Sequence, residues 1–95
     1  MSVVIVGGNE RMERQYKELC KTYRCQAKVY TKESGMNGKV GSPDLMVLFT
    51  GTMSHKMLHG ALSAIKGKET IVARSHSSSM SALRVILERH AAGMT

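Results

Sequence analysis

Three short stretches of this sequence gather residues able to hold an anion. The first is Gly7, Gly8, Asn9 and Arg11, the second Thr50, Gly51, Thr52, Ser54 and His55, and the third Arg74, Ser75, His76, Ser77, Ser78 and Ser79. Glycine lets a backbone N–H approach a ligand closely, because it has no Cβ. Serine and threonine add hydroxyl donors, and arginine adds charge-assisted bonds to phosphate or carboxylate. The chain as a whole leans the same way: 14 Lys and Arg stand against 7 Asp and Glu, a formal net charge of +7 that favours anionic partners.

Each stretch taken alone is weak evidence. Gly7-Gly8 is neither the Gly-x-Gly-x-x-Gly dinucleotide fingerprint nor a Walker loop, and a serine run serves equally well as a helix cap. Their coincidence carries the reading. Among the histidines, His55 and His59 have the i, i+4 spacing of a metal pair but lack the intervening glutamate of metalloproteases. Helical angles turn His59 toward solvent, and His90 reads as structural. His55 and His76 remain as ligand groups, for phosphate or for haem iron, with Cys20 a third iron candidate and basic residues available for the propionates. For catalysis the set is incomplete, with no carboxylate to orient a histidine, no Gly-x-Ser-x-Gly elbow and no acidic pair. A non-catalytic binding protein is therefore the expectation.

The elements that must position these groups follow from the apolar pattern. Residues 3–6 form a β-branched run ended by Gly7-Gly8, the mark of a strand buried on both faces. Asn9 can cap a helix whose apolar face is Met12, Tyr16, Leu19, Cys20 and Tyr23, leaving Arg11, Arg14, Lys17, Lys21 and Arg24 to water. Residues 26–31 alternate as a shorter strand, and 32–42, with Gly35, Gly38 and Gly41, read as a polar loop. Leu45–Phe49 is the strongest buried strand. A helix over 54–66 buries Met57, Leu58, Ala61, Leu62 and Ile65 and stops at Gly67. A fourth strand over 70–73 leads to a last helix that starts among Ser77, Ser78 and Ser79 and buries Leu83, Ile86 and Leu87.

Strand and helix in alternation give a parallel sheet with right-handed crossovers. The expected fold is a single α/β domain over residues 1–95, its four strands in the order 2-1-3-4 with helices on both faces, Rossmann-like or flavodoxin-like. Ligands of such sheets bind beyond the carboxyl ends of the strands, where the order reverses. That point lies between strands one and three, lined by the first two anion-holding stretches, with the third next door on the same edge.

Composition narrows the class. A hydrophobic share of 42% with 22% charged residues excludes a disordered or fibrous chain. The N-terminus lacks the basic and long apolar regions of a signal peptide and no run is long enough to span a membrane, so a cytoplasmic protein is expected. Cys20 and Cys25 lack the tight spacing of a zinc or redox pair and read as free thiols. Eight methionines and open sheet edges suggest a homo-oligomer. Nucleic-acid binding through the basic face of the first helix is a further alternative, weakened by the scarcity of aromatic platforms.

The residues Ser2-Val-Val-Ile-Val-Gly-Gly, Arg11-Met12 with Tyr16 and Cys20, Asp44-Leu-Met-Val-Leu-Phe-Thr, Ser54-His55-Lys56-Met57 and His76-Ser-Ser-Ser-Met-Ser-Ala-Leu resemble a bacterial family, domain of unknown function 2325. The resemblance covers nearly the whole chain. It implies a Rossmann-like fold, carries over no enzymatic activity, and keeps haem among the ligands to be considered.

Overall fold

A computed structural model of the chain describes residues 1–32, 36 and 39–91. Its four strands are β1 (Ser2–Gly7), β2 (Gln26–Tyr30), β3 (Leu45–Phe49) and β4 (Ile71–Ser75), and its helices are α1 (Glu13–Thr22), α2 (His55–Ala64) and α3 (Met80–His90). All strand pairings are parallel and the order is β2-β1-β3-β4, as the alternating pattern predicts. The register sets Val3 beside Ala27 on one side and Leu45 on the other, and Leu45 in turn beside Ile71.

Successive strand residues point to opposite faces. Val3, Ile5, Leu45, Val47 and Phe49 therefore meet Tyr16 and Cys20 of α1 and Leu83 and Leu87 of α3. Val4, Val6, Met46 and Leu48 meet Met57 and Ala61 of α2, with Ile65 just beyond it. Two helices thus cover one face and a single helix the other. The shortfall is made up by the connection before β3, where Met36 and Val40 are only 5% and 4% exposed and join the α2-side core. The expectation of a polar loop over 32–42 misses this covering role; Gly35 and Gly38 lie outside the described residues.

Two boundaries differ in ways that bear on the site. Asn9 caps a short 3-10 turn, Glu10–Met12, and α1 begins only at Glu13. β4 runs on to Ser75, because Arg74 and Ser75 pair with Leu48 and Phe49. Parallel pairing puts every strand's carboxyl end on one rim, and each helix starts from that rim. No described helix is long and apolar enough to cross a membrane.

At the other end, Cys20 and Cys25 are free and buried, and the Cys25 N–H donates to the Cys20 carbonyl at 2.9 Å just before β2 begins. Burial, with the neighbouring Cys25 thiol as a smaller cause, pushes the Cys20 thiol from its ordinary 9.0 up to about 12. The folded chain therefore keeps a proton that the unfolded chain releases. This contribution to stability is complete below pH 9 and is lost as pH rises toward about 12. The free energy of unfolding is expected to fall above pH 9 with a slope approaching about 1.4 kcal/mol per pH unit from this group. Denaturant titrations across that range check it, and Cys20→Ala should flatten the slope.

Candidate functional site

The rim is built from three turns tied to one another. After β1, Gly7 and Gly8 take φ of +89° and +88°, a left-handed conformation that turns the chain back across the end of β3. The Gly8 N–H donates to Thr52 Oγ1 at 2.7 Å, and Thr52 Oγ1 donates to the Phe49 carbonyl at 3.0 Å. First and second turns are thereby joined through one threonine hydroxyl.

Tyr16 joins the first turn to the third. Its ring is buried against Phe49, with ring centroids 5.4 Å apart, while its hydroxyl reaches the rim. There Tyr16 Oη accepts from the Asn9 N–H at 3.3 Å and donates to the Ser78 carbonyl at 2.7 Å. Second and third turns meet directly. A Cβ on Gly51 would lie 2.4 Å from the His76 carbonyl oxygen and 3.1 Å from His76 Cε1, so only glycine allows this approach. Thr50 Oγ1 adds a long bond to the Ser75 carbonyl at 3.5 Å.

Two full-length helices open onto this surface. Ser54 caps α2, its Oγ accepting from the Met57 N–H at 3.1 Å, and Ser79 caps α3, its Oγ accepting from the Ala82 N–H at 3.1 Å. Asn9 does the same for the 3-10 turn, accepting from the Arg11 N–H at 2.9 Å. Ser77 holds the serine run in shape: Ser77 Oγ donates to Ser79 Oγ at 3.1 Å and accepts from the Ser79 N–H at 3.2 Å, and its carbonyl accepts from Ser75 Oγ at 2.8 Å. The partial positive charge at such helix starts favours anions.

Of the residues singled out by sequence, Gly7, Gly8, Asn9, Arg11, Thr50, Thr52, Ser54, His55, His76, Ser77, Ser78 and Ser79 all stand in these turns or open the helices that follow them. Arg74 lies one residue before the end of β4, beside Leu48. Asn9, Arg11, Thr52, Ser54, His55, Arg74, His76, Ser77 and Ser79 are exposed. Cys20 is not brought to them: it is fully buried near the far end of α1.

The switch point between β1 and β3 is closed at its floor. A Cβ on Gly7 would lie 2.8 Å from Met53 Cγ, 2.9 Å from the Phe49 carbonyl and 3.0 Å from Thr52 Oγ1. Around this floor the rim presents hydroxyls, imidazoles and helix starts. Of the residues considered for haem iron, His55 and His76 are exposed at the rim and Cys20 is buried at the other end of the sheet. No described cluster of three or more His, Cys, Asp and Glu side chains could hold a metal ion.

A family model described as an uncharacterized protein conserved in bacteria, DUF2325, matches residues 2–90. The chain belongs to the DUF2325 family. The match takes in every described strand and helix and all three turns of the rim, so the DUF2325 unit contains the parallel sheet. No curated protein and no solved structure matches the chain.

Sequence reasoning missed Tyr16 as a member of the DUF2325 rim, because its place on the apolar face of α1 marks it as core. The signal was available in its chemistry, since a buried tyrosine hydroxyl needs a partner and the nearest open groups are those of the turns. The basic residues expected to face water do so: Arg14, Lys17 and Lys21 of α1 are exposed, as are Arg11 in the 3-10 turn before it and Arg24 after it, though Arg14 is paired with Glu18 at 3.3 Å.

Proposed function

We propose that this domain is a non-catalytic binding protein that takes a phosphate-bearing small molecule on the rim formed by the three turns. The observation that carries the reading is that two serine-capped helix starts and the Gly7-Gly8 turn are fastened into one polar surface by Thr52, Tyr16 and Gly51. Arg11, Arg74, His55 and His76 surround it with donors, and the net charge of +7 draws anions toward it. Backbone N–H groups at helix starts, hydroxyls and guanidiniums are the donors that the charged oxygens of a phosphate take.

The test is thermal unfolding in the presence of pyrophosphate, AMP and ATP, with sodium chloride at matched ionic strength as the control. A ligand present at a hundredfold its Kd adds about 2.7 kcal/mol of stability, which for a domain of this size raises Tm by roughly 10 °C or more. Arg74→Ala and His55→Ala, both exposed in the fold, should leave the ligand-free Tm nearly unchanged and shrink the shift. No shift beyond the salt control with any of the three phosphates defeats the reading.

A further inference from the structure

We propose that the open edge of β4, with the groove beside it, receives an extended acidic segment of another protein as an added strand. β4 pairs with β3 alone and ends the sheet. The Ile71 N–H donates inward, to the Asp44 carbonyl at 3.0 Å. In a parallel ladder residues alternate in direction, so Ala73 and Ser75 also face β3, while the N–H and C=O groups of Val72 and Arg74 face outward. An incoming strand finds two donors and two acceptors there, at the spacing β-augmentation uses.

Side chains beside this edge define the partner. A groove of about 320 Å³ runs between β4 and α3, lined by Val72 and Arg74 of the strand and by Val85, Ile86, Arg89 and His90 of the helix. Val85 is 58% exposed, and Ile71, at the start of the same edge, is 48% exposed; both are large apolar groups facing water. Ala73 also lines the groove, whose described lining includes Arg74, Arg89 and His90 and no acidic residue. Strand alternation turns Arg74, beside Leu48, toward the α2 face, while Ile71, beside Leu45, shares the α3 face with Val85. An added strand that alternates apolar and acidic residues can set its apolar side chains against Ile71 and Val85 and its carboxylates on the Arg74 face. A second copy of this chain is the poorer occupant, because two-fold pairing would line both copies' Arg74 and Arg89 along one seam, with +7 on each side.

The experiment uses a short fluorescein-labelled peptide alternating valine and glutamate, and the same peptide with lysine for glutamate. Fluorescence anisotropy should show saturable, salt-weakened binding of the glutamate peptide alone, and hydrogen exchange should show the Val72 and Arg74 amides becoming protected. Val72→Pro deletes one outward N–H without touching the β3 ladder and should abolish binding. Arg89→Glu, at an exposed helix position, keeps the fold and should weaken binding at least roughly tenfold. Equal binding of both peptides, or unchanged exchange at Val72 and Arg74, overturns the proposal. So does a native mass of a dimer that Val72→Pro converts to a monomer, which would assign the edge to a second copy.

Discussion

Gly7→Ala is expected to destabilise the domain by about 4 kcal/mol, a large share of the 5–15 kcal/mol that holds a small domain together. Two costs combine. At φ +89° a side chain pays roughly 1–3 kcal/mol of backbone strain. The added Cβ also meets atoms that cannot move away cheaply, the Phe49 carbonyl at 2.9 Å and Thr52 Oγ1 at 3.0 Å, as well as Met53 Cγ at 2.8 Å. Overpacking of this kind costs a further 1–3 kcal/mol or so. Denaturant unfolding should show the midpoint falling with an unchanged slope, and a loss of under about 1 kcal/mol would mean that the turn relaxes and that the floor of the rim is not as tight as described.

Gly51→Ala should separate stability from binding. Gly51 takes no left-handed conformation, so the substitution carries no backbone penalty of that sort, and the whole effect comes from one clash. The new Cβ, 2.4 Å from the His76 carbonyl, must push the second and third turns apart. Stability is expected to fall by about 1–3 kcal/mol through the displaced packing. Binding of any phosphate that bridges the two turns should fall much further, because His55 and His76 then no longer face the ligand from one surface. A variant that unfolds more easily yet binds the same ligand with the same Kd would show that the ligand rests on one turn alone.

Much of this architecture is legible in the residues themselves. The β-branched run from Val3 to Val6 and the apolar Leu45–Phe49 announce strands buried on both sides, and the helices between them leave few ways to arrange a parallel sheet. Once the order is set, the place of Gly7, Thr52, His55 and Ser79 at one rim follows from strand direction. The contacts that make a surface out of neighbouring turns are not legible, because they are non-local. Gly8 meets Thr52 and Tyr16 meets Ser78 across gaps of 44 and 62 residues. No periodicity records such pairs. Met36 and Val40 escape notice for a related reason: their neighbours are polar or glycine, and only the uncovered half of a sheet face, visible in three dimensions, calls for them. The closed floor beneath Gly7 is equally invisible, since it depends on how Met53 packs after β3 has ended.

Amide-resolved nuclear magnetic resonance during a titration with pyrophosphate is the most direct trial of the idea that three separate turns act as one receptor. Gly8, Asn9, Thr52, His55 and the amides from His76 to Ser79 should shift together and saturate along a single curve. Shifts confined to one turn, or a gradual drift centred on Arg14, Lys17 and Lys21 that salt erases, would contradict it.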